Sequence, residues 1–316
     1  MGGNIELQPQ FATSKGKNKM NMQSHNFARF GRGAVNLRAA QGETLSYDQI
    51  AAYAPAVFAE TAHSSRSNRF VHIPSHDLLG AMAKEGFLPV AVKVGGSKDA
   101  EKRNFTKHMI RFRRAENLAQ PLDKIGQIVP ELILVNSHDG TSSYQLHAGL
   151  FRLACLNGLI VSAGNVASVK VGHRGNALDK VIEGSFTVLN EARETLPRAE
   201  AMAAIELSGE EQTAFARAAL PLRFDVENTS KEFSLSSVLR PRRIADSGSS
   251  LWQTFNRVQE SMLKGGFSYR AENSNGRMEY RTARPVNNVS DDVRLNKSLW
   301  ALAESMAEIK GLSLAA

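Results

Sequence analysis

Cysteine is almost missing: Cys155 is the only one in 316 residues. A lone thiol makes no internal disulfide and no cysteine-built zinc cluster, and it fits a reducing compartment. Flanked by Leu153 and Leu156, it reads as a small buried hydrophobe rather than a nucleophile. Long apolar runs are missing too. No stretch approaches the roughly 20 residues of a membrane span, and residues 1–19 hold no apolar core of signal-peptide length. The expectation is a cytoplasmic protein with no membrane partner. The GxxxxGK[ST] phosphate loop is absent, which argues against a nucleotide-driven motor, and no cofactor is expected. Aromatic residues are lean at 7%, which limits base stacking. Acids are outnumbered, 31 Asp and Glu against 39 Lys and Arg, for a net charge of +8. An excess of that sign favours phosphate polyanions or acidic surfaces.

The rest of the composition, 42% hydrophobic and 22% charged, is that of a globular chain. Residues 1–42 read as a basic flexible arm, with Lys15, Lys17, Lys19, Arg29, Arg32 and Arg38 opposed only by Glu6. Ser46 to Gln49 is a capping box that starts a helix, weakened by Pro55. Residues 70–73 read as a strand, and Ser75 as the cap of a helix through Glu85, stopped by Gly86. Strands follow at 88–94, 107–114 and 128–135. The turn at 136–140 leads to a returning strand with alternating Tyr144, Leu146, Ala148 and Leu150, then strands at 159–161 and 167–171. From 177 the pattern becomes helical, with a capping box predicted at Ser208 and a helix cap at Ser249 or Ser250. Between them, residues 225–250 read as a long polar loop, functional or mobile. A hairpin spans 267–282 across the turn at 273–276, and Ser290 opens a last helix.

The predicted fold class is α+β: a central antiparallel sheet at about 88–172 flanked by helices, with a C-terminal helical part and a β-hairpin. Three parts are expected: the arm 1–42, an α+β sheet core 43–175, and a helical part 176–316 whose basic loop and hairpin pack on that core.

Five stretches carry a family resemblance: SRSNRFVHIP (65–74), KHMIRFR (107–113), LVNSHDGTS (134–142), FRLACLNGL (151–159) and LNKSLW (295–300). In these, over residues 46–310, the chain resembles the phage- and plasmid-associated family labelled domain of unknown function 932. Ala154 departs from it, standing where a β-branched residue is expected. The resemblance implies carriage on a mobile element, and with it DNA replication, recombination or counter-defence. It implies no catalytic residues. The layout is also similar to ring-forming single-strand annealing proteins of the Rad-fifty-two type, an analogy of fold alone that implies a homo-oligomer.

The positive charge is clustered. Alternation along 107–114 puts Arg111 and Arg113 on one face and Ile110 and Phe112 on the other. That face is expected to be solvent-facing and to present guanidinium forks to phosphates, with Lys107 and Arg114 as further contacts from the same strand. Its plainer reading is a solvated face. Arg240, Arg242 and Arg243 surround Pro241, which splays their charges, although a linker would look the same. The hairpin interleaves Arg270, Arg277, Arg281 and Arg284 with Tyr269 and Tyr280, a single-strand-binding pattern that ordinary ribbons share. Arg66 and Arg69, among small hydroxyl residues, either cup a phosphate or tie a loop to the core.

The leading expectation is a non-enzymatic protein that binds nucleic acid, single-stranded DNA above all, and anneals or protects strands. A second reading is a metal-dependent enzyme using His138, Asp139, His147 or His173 as a two-histidine, one-carboxylate set. Against it, Asn136 and Asp139 are the residue types that shape a tight turn by Asx bonds. A third reading is a protein that binds a host partner through its basic face.

Overall fold

The structure, a computed structural model, describes residues 25–29, 33–66, 72, 74–119, 128–152, 157–161, 168–172, 176–227 and 229–312. Of the expected strand at 70–73 only residue 72 is among them, and Arg69, Cys155, Ala154, His173 and the arm up to residue 24 fall outside them.

The described residues form an α+β fold. Its main sheet is antiparallel and has eight strands in the order β1 (His25–Arg29), β2 (Val35–Ala39), β3 (Phe87–Val94), β4 (His108–Arg114), β5 (Ile128–Asn136), β6 (Tyr144–Arg152) and β7 (Asn157–Ile160), with β8 (Val169–Val171) also paired to β6. Residues 25–29 and 35–39 are therefore sheet strands, which corrects the reading of 1–42 as one flexible arm. The alternation of Val35, Leu37 and Ala39, all buried, is the signal that marks the second of them.

Period-two alternation gives every strand two different faces. One carries Leu37, Val92, Ile110, Phe112, Leu134 and Leu146 into the main core. Helices α1 (Tyr47–Tyr53), α2 (Ser75–Lys84) and α4 (Ala177–Glu194) cover it, with α4 lying across β5 and β6, while the short α3 (Ala115–Ala119) follows β4. Gly184 permits that close approach, since a Cβ there would press on Val169 and Leu146. The predicted capping box at Ser46 forms: Gln49 N donates to Ser46 Oγ at 3.1 Å, and Ser46 N donates to Gln49 Oε1 at 2.8 Å. The helix ends before Pro55, which starts a 3₁₀ turn.

The opposite face is concave. Arg38 on β2 and Phe151 on β6 are separated by three strands, about 19 Å in a flat sheet. The Arg38 guanidinium nevertheless lies 5.1 Å from the Phe151 ring centroid. The sheet must curl around this face to bring them together.

The C-terminal part is a helical cluster. It comprises α5 (Leu196–Ala203), α6 (Gly209–Ala219), α8 (Leu251–Lys264) and α9 (Val289–Ile309). The predicted capping box at Ser208 is present, and the predicted cap falls on Ser250, which also forms a capping box, with Gln253. Helix α8 is buried from Leu251 to Met262 except at Gln253, polar Asn256, Arg257, Gln259 and Glu260 included. Trp252, Phe255 and Trp300 pack edge-on and stacked between α8 and α9. The expected long loop at 225–250 is instead threaded with structure. It contains β9 (Glu232–Phe233), α7 (Leu235–Val238) and a 3₁₀ turn at Ile244–Asp246. Strand β9 joins the hairpin β10 (Ser268–Glu272) and β11 (Met278–Thr282) in a second, three-stranded sheet. Among the described residues, no helix is long and apolar enough to cross a membrane.

Candidate polyanion-binding cleft

The concave face gathers cations around few carboxylates. Arg111 and Arg113 do share a face, as the alternation predicts, but that face is not open to solvent. Each is only 4% exposed, and both bind the fully buried Glu131. Arg111 Nη1 donates to Oε2 at 3.0 Å and Arg113 Nε to Oε1 at 2.8 Å. Arg113 also lies over Phe151, 3.7 Å from its ring centroid. The expected solvent-facing row is thus corrected, because curling the sheet turns it inward. Burial works against the charge on Glu131, but Arg113, Arg111 and Arg38 outweigh it and hold the carboxyl below its ordinary range.

A cleft of about 240 Å³ opens on this face. The floor is Asn36, Arg38, Ala91, Lys93, Met109 and Arg111, and the rim is Leu263, Lys264, the turn 285–287 and Asp292. Lys93 donates to the Val286 carbonyl at 2.8 Å and pairs with Asp292, which ties the start of α9 to the sheet. Four cations and one carboxylate therefore line the cleft. Lys264 pairs with Glu260 at 3.1 Å. Met109, Ile133, Val135 and Ile160 meet Val289 and Val293 of α9 in an apolar cluster on the same side of the sheet.

The loop at 240–243 lies next to this rim. Arg243 binds both oxygens of Glu260, the carboxylate that holds Lys264. Arg242 donates to the Gly265 carbonyl, one residue beyond Lys264. Arg240 and Arg242 are exposed. Two of the sequence's basic sets, the β4 arginines and this loop, thus flank the cleft, and the backbone of Arg284 precedes the turn at its rim, its carbonyl accepting from Arg223.

Other predicted positions are dispersed. Lys107 donates to Ser290 Oγ at 2.8 Å, beside a second cleft of about 440 Å³ that shares Asn287 with the first. Arg114 points to the helical side, over the Phe87 ring at 5.2 Å, and donates to the Glu85 carbonyl. It plugs the core instead of joining its strand-mates. Arg66 is exposed and donates to Ser65 Oγ at 3.2 Å. It lies over Gly140, where a Cβ would collide with it. In the hairpin, Arg270 pairs with Glu232 at 3.0 Å and underlies the ring of Tyr280, which is 82% exposed. Arg277 and Arg281 are exposed.

The described residues among those proposed for a metal, His138, Asp139 and His147, do not form one site. His147 pairs with Ile133 on the concave side, whereas His138 reaches Ser75 on the helical side. Among the described residues no group of three or more His, Cys, Asp or Glu could hold a metal ion. Asp139 does shape the turn, accepting from Thr141 N at 3.0 Å. Asn136 does not, because it is buried and donates to Ser75 Oγ at 3.3 Å.

What surrounds that serine has no local signature in the sequence. Ser75 is not a helix cap: Pro74 holds the cap position, and the Ser75 hydroxyl turns inward. Its Oγ lies 3.1 Å from His108 Nε2 and 3.2 Å from His138 Nε2. His72 packs edge-on against His138, with ring centroids 4.7 Å apart. Three of the stretches carrying the family resemblance (65–74, 107–113 and 134–142) thus converge at one end of the sheet. The serine and both partner histidines are fully buried, so the cluster ties α2 to β4 and β5. A fourth stretch, 295–300, is a helix seam, where Asn296 accepts from Gln259 of α8 at 2.8 Å.

No solved structure matches the chain. The proteins called UPF0380 protein YfjQ and UPF0380 protein YafZ, both of Escherichia coli strain K12, are each 38% identical to it over 274 residues, 87% of this chain and 95% of theirs. A family model described as a domain of unknown function, DUF932, matches residues 62–300. With that match spanning β3 to β8, most of the cleft and most of the helical cluster, the chain belongs to the DUF932 family.

Proposed function

We propose that this protein binds nucleic acid, single-stranded DNA above all, without catalysing a reaction on it. One observation carries the reading: a concave sheet face whose cleft is lined by four cations and one carboxylate, beside a loop with exposed Arg240 and Arg242. Concave basic surfaces concentrate phosphate polyanions. Tyr280 and the arginines of the hairpin add an aromatic platform of the kind on which bases stack. In the cytoplasm of a cell carrying a mobile element, and as a homo-oligomer, such a protein would protect or anneal strands.

The test is fluorescence anisotropy of a labelled oligonucleotide across a salt series. Binding at low salt that weakens steadily as salt rises is expected. Replacing Arg240, Arg242 and Lys264 together with Ala should flatten the salt slope, by roughly 0.7 per lost phosphate contact on a single strand. Absence of binding at low salt, or indifference to salt, would overturn the reading.

A second reading, capture of a host protein with an acidic surface, is favoured by Ile244. That side chain is 94% exposed, directly after Arg243. An aliphatic tip among cations suits a protein interface better than a phosphate backbone. Pull-down from nuclease-treated lysate, compared with an Ile244→Asp variant, separates the two.

A further inference from the structure

We infer that Arg38, Ala91 and Arg111 form a notch that seats a single phosphate group. The inference rests on the polyanion reading above and narrows it to one subsite. Arg38 pairs with Ala91 across β2 and β3, and Ala91 pairs with Arg111 across β3 and β4. The three therefore stand side by side on the concave face, and all line the cleft. Two strand spacings put the arginine backbones no more than about 10 Å apart, and the curl of the sheet closes that further. Between two long guanidinium side chains stands only a methyl group. A small residue between two arginines leaves room for a tetrahedral oxyanion, with the Arg111 guanidinium anchored on Glu131 and the Arg38 guanidinium beside Phe151 supplying positive charge on the same face.

The surroundings agree in charge and size. Glu131 holds Arg111 at 3.0 Å and Asp292 holds Lys93, so each carboxylate fixes a cation in place. Lys264 stands at the rim with its side chain 45% exposed, where it can close on an arriving anion. The cleft of about 240 Å³ lies below the roughly 300–1,000 Å³ of pockets that enclose whole small molecules. It has room for a phosphate group rather than for a whole enclosed small molecule. That matches one phosphate of a nucleic-acid strand, and equally the phosphate end of a small molecule.

The experiment uses the full chain, with inorganic pyrophosphate as probe in calorimetry and as competitor against a labelled oligonucleotide. Wild type should bind pyrophosphate, and pyrophosphate should displace the oligonucleotide. Ala91→Met fills the notch and should weaken pyrophosphate binding at least tenfold while weakening the oligonucleotide in parallel. Lys264→Ala, at the half-exposed rim, should weaken both and serves if Ala91→Met does not fold. Oligonucleotide binding that ignores pyrophosphate and both substitutions would overturn the notch and leave the polyanion reading standing. Pyrophosphate binding lost in Ala91→Met, with no oligonucleotide binding in wild type, would support the notch for a small phosphate compound and overturn the nucleic-acid reading. Failure of wild type to bind either probe would overturn both.

Discussion

The Ser75 hydroxyl sits 3.1 Å from His108 Nε2, and His108 Nδ1 sits 3.2 Å from the Thr106 carbonyl. A carbonyl only accepts, so Nδ1 carries the proton. In the neutral ring Nε2 then accepts, and Ser75 donates to it. The same hydroxyl oxygen accepts from Asn136 and, to complete its pairing, from His138 Nε2–H. Burial pushes the His108 imidazole down to about 4, against the Thr106 bond and the nearby Asp139, which favour the charged form.

That depression makes stability pH-dependent. The unfolded chain takes up a proton on His108 below its ordinary value of 6.5, and the folded protein resists until about 4. The contribution is fully present above 6.5 and is lost as pH falls towards 4, a span worth about 3 kcal/mol. Urea midpoints measured from pH 7 to pH 4.5 should fall, and in His108→Asn they should fall less steeply. Equal slopes for the two proteins would refute the buried neutral histidine.

Glu131 governs a second stability prediction. It is fully buried between two nearly buried arginines, and removing one member of such a set leaves uncompensated charge. Glu131→Gln should cost about 3 to 5 kcal/mol, read as a lower denaturant midpoint. Replacing Arg111, Arg113 and Glu131 together by Met, Met and Leu should recover most of that loss. A Glu131→Gln protein as stable as wild type would show that the carboxylate does not hold the arginines. Binding tests on Arg111 or Arg113 alone are confounded by the same instability, whereas Arg240 and Lys264 are cleaner probes.

Much of the sheet was legible because alternation is local. The strands at 88–94, 107–114, 128–135 and 144–150 follow from spacing, as does the division of Arg111 and Arg113 from Ile110 and Phe112. Which face meets water is not local. It depends on curl, and curl brings Arg38 to Phe151 across three intervening strands. One residue did carry a warning: Glu131 interrupts an apolar run, and a buried acid demands cations opposite. Ser75 fits the pattern of a helix cap, but its two histidines arrive from a strand 33 residues away and a turn 63 residues away, a partnership that no sequence window contains.

Gly265 ends α8 at φ 67° and ψ −144°, a region essentially confined to glycine. A Cβ there would also overlap the Ala283 carbonyl oxygen and the Arg284 carbonyl carbon, backbone atoms at the cleft's rim. Gly42 has a similar φ of 76° but nothing within 4 Å of its Cβ, so it serves as the control. Gly42→Ala should cost only the conformational penalty, about 1 to 2 kcal/mol. Gly265→Ala should cost clearly more, because the backbone must also move. Equal melting temperatures for the two variants would contradict the packed turn.

The hairpin provides the last prediction. Tyr280 is 82% exposed with Arg270 beneath its ring at 5.7 Å. Glu232 holds Arg270 from the neighbouring strand, so the platform is fixed before any ligand arrives. Exposure also means that little folding stability depends on the ring. Under the single-strand reading, Tyr280→Ala should leave the melting temperature unchanged and weaken oligonucleotide binding by about 1 to 3 kcal/mol. Loss of a stacked base removes no phosphate contact, so the salt slope should stay the same. Replacing Arg277 and Arg281 with Gln should do the opposite: a shallower slope, with affinity converging on wild type at high salt. If Tyr280→Ala binds as wild type does, the hairpin is a plain solvent-facing ribbon and the cleft must carry the binding alone.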